Sequence, residues 1–249
     1  MSRLGSIGEL YPYALAEGEG VGTAYEYVAK ARFFRARLPR GARILVAGLP
    51  ERYGTSLDFA ILAHRASATL LVVDERAEAI ERARRAIEVV QADGRLVGLQ
   101  VTCRHVASLD VLADIERHDA VLSCEVLQRL PRASRSSFAK TLRSRASVGA
   151  VFAPNGDNAS HVKISGLAGL SRREMETLFE GKGCRFGYVD MPPFPPGIAR
   201  TAHQRTKAAT GRAEGLAMRG LDVFCAVEPF VPSVVKRHLA HIVGAAWED

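Results

Sequence analysis

The sequence predicts an open, mostly parallel α/β sheet covered by helices on both faces. Three observations carry that expectation. From residue 43 onward, short apolar runs alternate with segments whose apolar residues recur at helical spacing. The first of those runs ends in a glycine turn that leads into a helix. The second ends in an acid. Strand–helix alternation of this kind winds a parallel sheet through right-handed crossovers. Ligands of such sheets bind at the carboxyl ends of the strands, where the strand order reverses.

The elements follow in order. "RILVAG" (43–48) is a strand running into Gly48, and "TSLDFAILAHRA" has apolar residues at helical spacing. "ATLLVVDE" (68–75) is a strand closing on Asp74, and "RAEAIERARRAIEVVQAD" (76–93) carries Ile80, Ala83, Ile87 and Val90 on one helical stripe. "LQVTCRHV" reads as strand, "SLDVLADIER" as a short helix, and "DAVLSCEVL" (119–127) as a strand entering a loop. "RASRSSFAKTLRSRA" is helical and "VGAVFAP" is a strand. "SRREMETLFEGKG" begins with Ser171 and has Glu174 three residues on, a capping box, and it closes on glycine. "CRFGYVDM" and "LDVFCAVEP" read as the last two strands. Outside this core lie a helical N-terminal cap (1–40), a proline-rich and then basic insertion (191–220), and a C-terminal amphipathic helix at 232–247. The domain proper is expected over 41–249.

The 249 residues, 47% hydrophobic and 24% charged, suffice for one sizeable core. No apolar run approaches the roughly 20 residues of a membrane span. The N-terminus lacks the apolar stretch and cleavage site of a signal peptide. Four cysteines (Cys103, Cys124, Cys184, Cys225) lie far apart with no CxxC pair, which argues against structural zinc or a disulfide framework and for a reducing cytoplasm. The net charge of +7 is spread along the chain and decides little between an anionic partner and solvated basic faces.

"GLPERYGTS" after the first strand keeps Gly48 at the strand exit and Gly54 at the helix entry. It is not a phosphate loop, because five residues separate the glycines and the lysine is missing. Pro50 stands where a dinucleotide turn needs its second glycine. Such a turn suits a ligand that touches it without a pyrophosphate. Asp74 either accepts the hydroxyls of a ribose or caps the following helix.

Five segments resemble, in order and spacing, S-adenosylmethionine-dependent methyltransferases of the seven-stranded, Rossmann-like class that act on small molecules. They are "ILVAG…GTSLDFA", "LLVVDERAEAIERAR", "HDAVLSCEVLQRLP", "VGAVFAPNGDN" and "LSRREMETLFEGKGCRFGYVDM". The resemblance covers about residues 41–190 and the last strand. It implies that Gly48, Leu49 and Gly54 line the methionine part of S-adenosyl-L-methionine, with Glu51 as an acceptor for its ammonium. Asp74 binds the ribose, Glu75 flanks the adenosine, and His105 and Val106 edge the adenine. Ser123, Cys124 and Glu125 lie under the sulfonium and the substrate. Three positions depart from the pattern: Val46 where an acid is usual, the missing middle glycine, and His105 where an Asp is usual.

The sulfonium is already activated, so transfer mainly requires alignment of nucleophile, methyl and leaving group. A general base is needed only for a protonated acceptor. Candidates are Glu125, which is also a helix-start acid, and His161, which is also suited to a backbone hydrogen bond. Asn155 either contacts substrate or shapes its turn. Tyr25 is the candidate lid residue that would meet substrate. His203, Arg205 and Lys207 in the insertion would attract an anionic substrate.

The expected activity is methyl transfer to a small or lipid-like molecule, by a cytoplasmic enzyme that could self-associate. The alternatives are a catalytically silent methyltransferase-fold partner subunit, an RNA methyltransferase, and a nicotinamide-dependent reductase. The "SCEV" segment lacks the "NPPY"-like motif of base methylases, and no RNA-binding module is appended.

Overall fold

The computed structural model describes residues 4–193 and 212–248; side chains are described in 4–193 and 215–248. Two helices come first, α1 (Ile7–Ala16) and α2 (Val21–Phe34). Then follow β1 (Arg43–Ala47), α3 (Leu57–Arg65), β2 (Thr69–Asp74), α4 (Ala77–Ala92) and β3 (Gln100–His105). A 3-10 turn at Leu109–Ala113 leads to β4 (Ala120–Cys124), α5 (Arg132–Arg145), β5 (Val148–Pro154), α6 (Ala159–Ser165), α7 (Arg172–Leu178) and β6 (Cys184–Val189). The chain ends with α8 (Arg212–Val227), a second 3-10 turn (Glu228–Phe230), α9 (Ser233–Leu239) and β7 (Ile242–Glu248).

The seven strands form one sheet in the order β3-β2-β1-β4-β5-β7-β6. The first five pair in parallel, and β7 runs antiparallel between β5 and β6. Alternate side chains of each strand point to opposite faces. Ile44, Val46, Leu70, Val72, Leu122 and Phe152 therefore face one apolar layer, with residues of α1 to α4. Leu45, Ala47, Val73, Val121, Val151 and Trp247 face the other, with residues of α5 and α7. The order reverses between β1 and β4, and the carboxyl ends of those strands present Gly48 and Glu125 side by side.

The last strand corrects the sequence reading. Residues 221–227 belong to α8, and 242–248, expected as part of a helix, form β7. Both segments are short and apolar, so composition does not separate helix from strand. Leu221, Cys225 and Glu228 are buried at helical spacing, while six successive residues of β7 from Ile242 to Trp247 are buried as only an interior strand allows. Small residues admit β7 to its slot: a Cβ on Gly149 would lie 2.2 Å from the Trp247 ring, and one on Gly244 would lie 2.8 Å from Phe33. The capping box at Ser171 and Glu174 is present at the start of α7. His203, Arg205 and Lys207 lie outside the described residues.

Candidate functional site

The site is built where the turns after β1, β2 and β4 meet. Gly48 takes a left-handed backbone (φ +83°), and its N–H donates to Val73 O at 2.7 Å, bending the chain sharply off the strand. A side chain there would meet Val126 at 2.5 Å and Arg129 at 3.4 Å. Its missing Cβ thus makes room for the loop after β4. Leu49 is buried, and its N–H donates to Asp74 Oδ2 at 2.7 Å, which ties the first turn to the end of β2.

Asp74 is fully buried, and its carboxylate is surrounded by donors of its own chain. Oδ1 accepts from Arg76 N (2.8 Å) and Arg76 Nε (2.9 Å). Oδ2 accepts from Arg76 Nη2 (2.9 Å) and Arg129 Nη2 (3.1 Å) as well as from Leu49. Burial alone pushes this carboxyl up, but the Arg76 and Leu49 hydrogen bonds and the two guanidinium charges hold it below its ordinary value. Arg76 also reaches the carbonyls of Leu49 (2.7 Å) and Pro50 (3.1 Å), so it spans the first turn. Arg129 pairs in addition with Glu75. Three polar atoms around this arginine pair are buried without a hydrogen-bond partner among the described residues: Arg129 Nε, Glu75 Oε2 and Gln128 Oε1.

Glu125 sits at the exit of β4 with a left-handed backbone (φ +54°), a conformation that is strained for a residue with a side chain and clusters at functional sites. Its Oε2 accepts from Glu51 N at 3.2 Å, and Gln128 Nε2 donates to Glu51 Oε2 at 3.2 Å. Burial, followed by the negative charge of Glu26, pushes the Glu125 carboxyl up to about 7, although Lys30 pulls the other way. Ser123 is fully buried, and its hydroxyl donates to Ala47 O at 2.7 Å, bridging β4 to β1. At the outer edge, the exposed His105 ring nitrogen lies 3.2 Å from Glu75 O, while Val106 N donates to Asp74 O.

The turn's far end is governed by α1. Gly54 is left-handed (φ +67°), and its N–H donates to Glu19 Oε1 at 3.3 Å. Glu17 accepts from Leu57 N at 2.5 Å and from the Thr55 hydroxyl at 2.8 Å, so a carboxylate from outside the helix caps α3.

Beneath the α2 side lies a group that sequence reasoning missed. Lys30 is buried, 2.9 Å from Glu26 and 3.1 Å from Asp58, with the Cys124 sulfur at 3.7 Å. It stands over the rings of Phe59 and Phe152. Its signal is in the sequence: Tyr27, Lys30 and Phe34 form one helical stripe, and Glu26 lies four residues before Lys30. Arg76 and Arg129 were missed too, because nothing in the spacing says where a long, flexible side chain will turn.

The remaining expected residues fall elsewhere along the same edge. Tyr25 is fully buried; its hydroxyl donates to Glu228 Oε2 at 2.9 Å and lies 3.1 Å from Met191 O. Asn155 is fully buried and donates to the carbonyls of Arg237 and Ala240, both at 2.9 Å, holding the entry to β7. His161 stacks on His241 at 4.3 Å, and burial plus the neighbouring ring lower it to about 4. His241 in turn lies 3.1 Å from Asp190, whose hydrogen bond and charge outweigh burial and raise the imidazole above its usual value. The structure thus brings together Gly48, Leu49, Glu51, Asp74, Glu75 and Glu125. Tyr25, bonded to Met191 and Glu228, and Asn155 and His161, which both meet His241, are not among them.

No family model and no curated protein matches the sequence. Solved structures do match. A SAM-dependent methyltransferase from Archaeoglobus fulgidus aligns over 96% of this chain and 99% of its own, at 9% identity and a TM-score of 0.56. The small RNA methyltransferase HEN1 aligns over 91% of this chain and 26% of its own, at 12% identity and a TM-score of 0.51. At these identities the likeness concerns architecture, and the strand order and the antiparallel β7 agree with it. The chain therefore has the seven-stranded, Rossmann-like fold of S-adenosylmethionine-dependent methyltransferases.

Proposed function

We propose that the protein is an S-adenosylmethionine-dependent methyltransferase that moves a methyl group in-line to a small or lipid-like molecule. One observation carries this reading: the buried Asp74 carboxylate, closing β2, is hydrogen-bonded at 2.7 Å to the backbone of the turn after β1. In this fold that juxtaposition offers a ribose acceptor beside a turn suited to an amino-acid tail. The residues that would hold the cofactor are Gly48, Leu49, Glu51 and Gly54 at the tail, Asp74 and Glu75 at the sugar, and His105 and Val106 at the base, with Ser123 underneath. The unpartnered Glu75 Oε2, Arg129 Nε and Gln128 Oε1 suit a ligand that brings both donors and acceptors.

When bound, the cofactor supplies an activated methyl on a sulfonium. The chain supplies orientation and, for a protonated acceptor, a base. Glu125, with its carboxyl near 7, is suited to take that proton at physiological pH. His161 is the second candidate, and its low basicity fits it less well.

The silent-subunit reading has its own observation, since Arg76 and Arg129 engage the acceptors of Asp74 that a ribose would need. Calorimetric titration of the purified protein with S-adenosylhomocysteine decides between them. Saturable heat below millimolar ligand is expected. Silence at millimolar ligand, with no shift in melting temperature, would leave the silent subunit as the reading.

A further inference from the structure

The crevice between the turns after β1 and β4 is bridged by the protein's own side chains. Arg76 lays its guanidinium along the Asp74 carboxylate and onto the carbonyls of Leu49 and Pro50. Arg129 comes from the opposite bank, against Gly48, and pairs with Asp74 and Glu75. Val126 fills the space over Gly48, and Glu51 joins Glu125 and Gln128 across the gap. Each Asp74 oxygen already receives at least two donors. A sugar diol can bind this carboxylate only by replacing guanidinium N–H groups.

We infer that Arg76 and Arg129 set the affinity of the crevice by competing with the ribose of an adenine nucleoside for Asp74. The inference rests on the methyltransferase reading for the identity of the ligand, but the competition itself is a property of the sugar. Two features support displacement over a permanent closure. Neither arginine is sealed in, since 20% of the Arg76 side chain and 12% of the Arg129 side chain are exposed, whereas Asp74 is fully buried. The arginine pair also leaves Arg129 Nε, Glu75 Oε2 and Gln128 Oε1 without partners, whereas a permanently sealed core satisfies its polar atoms. Arg76 contributes its own backbone N–H to Asp74, so removing its side chain keeps the turn tied.

Removing a competitor tightens binding, whereas removing a ligand contact weakens it. The full-length wild type, R76A, R129A and R76K are titrated by calorimetry with S-adenosylhomocysteine and, separately, with adenosine. Trp247 fluorescence and a melting curve verify that each variant is folded. R76A and R129A are expected to bind both ligands at least tenfold more tightly than wild type. R76K is expected to fall between, because an ammonium cannot span the carboxylate and two carbonyls as a planar fork does. It also keeps a charge if R76A fails to fold. If the wild type binds S-adenosylhomocysteine and the variants bind it equally or more weakly, the competition is overturned and the methyltransferase reading stands. Tighter adenosine binding without S-adenosylhomocysteine binding upholds the competition and removes the methyltransferase reading. If no folded protein binds either ligand at millimolar concentration, both are overturned.

Discussion

Glu125 concentrates two unusual properties in one residue, a left-handed backbone and a carboxyl raised to about 7 by burial and by Glu26. A group whose folded value lies above its ordinary 4.5 favours the folded state most when protonated. Its contribution to stability is therefore complete below about 4.5 and is lost as pH rises through 7. The unfolding free energy of the wild type should fall between pH 5 and pH 8, and E125Q should fall less over the same range. Asp58, also raised to about 7, is present in both proteins and cancels in the comparison. Urea titrations at five pH values check this; parallel curves for the two proteins would place Glu125 in an ordinary solvated setting. The residue was legible in "SCEVLQRLP" as an acid at a strand exit, but its environment was not. Glu26, which raises it, lies 99 positions earlier on α2, and no local pattern links the two. Asp74 shows the same division. Its place at the end of β2 was readable from the apolar run before it, whereas its occupation by Arg76 and Arg129 depends on rotamers that the sequence does not encode.

At the scale of elements, the start of α3 shows how a helix is completed from a distance. Its N-cap, Ser56, is left-handed and makes no side-chain capping bond. Glu17, at the end of α1, supplies the acceptor by taking the N–H of Leu57 and the hydroxyl of Thr55. Loss of an N-terminal cap costs about 0.5–2 kcal/mol. E17A should lose roughly that much unfolding free energy in urea, and E17Q, which keeps an acceptor oxygen, should lose less. Equal losses for the two would show that packing, not capping, is the role of the side chain. The strands from β1 to β6 and the helices α3, α4, α5 and α7 were legible because their apolar periods are clean; α6, the short helix that carries His161, was not, since its seven residues show no apolar stripe. The last two elements were exchanged for a physical reason. "LDVFCAV" is rich in residues that favour strands but buries one stripe of a helix. "IVGAAWE" follows directly on an amphipathic helical stretch, but its Ile, Val and Trp favour a strand and it fills a slot between two strands. Tertiary packing overrides propensity at the first place and agrees with it at the second.

For the whole molecule, the question is whether the N-terminal helices are a lid on the site or part of the core. The expectation of a cap over 1–40 leaves both open, and the packing favours the second. Ile7, Leu10, Tyr11 and Ala14 of α1 and Ala24, Tyr25 and Tyr27 of α2 are buried in the same apolar layer as β1, β2 and β4. The backbone of Ile7 is tied to Asp222 on α8 at 2.8 Å. Burying one large apolar side chain stabilises a fold by about 1.5–3 kcal/mol. Ile7, Leu10 and Tyr11 together therefore contribute an amount comparable with the roughly 5–15 kcal/mol by which a domain is stable. Removing residues 1–20 would withdraw that burial, expose the outer face of α2 and α4, and delete the Glu17 cap of α3. The truncated chain should lose its cooperative melting transition, followed by far-ultraviolet dichroism and by the buried Trp247, or should aggregate on purification. A lid would behave otherwise: its removal would leave the melting temperature where it was and change only ligand affinity. The two outcomes separate cleanly, because the same deletion acts on the transition in one case and on the binding isotherm in the other. An unchanged transition would place the first helix outside the folding unit and return it to the role of a cover over Glu125 and Asp74.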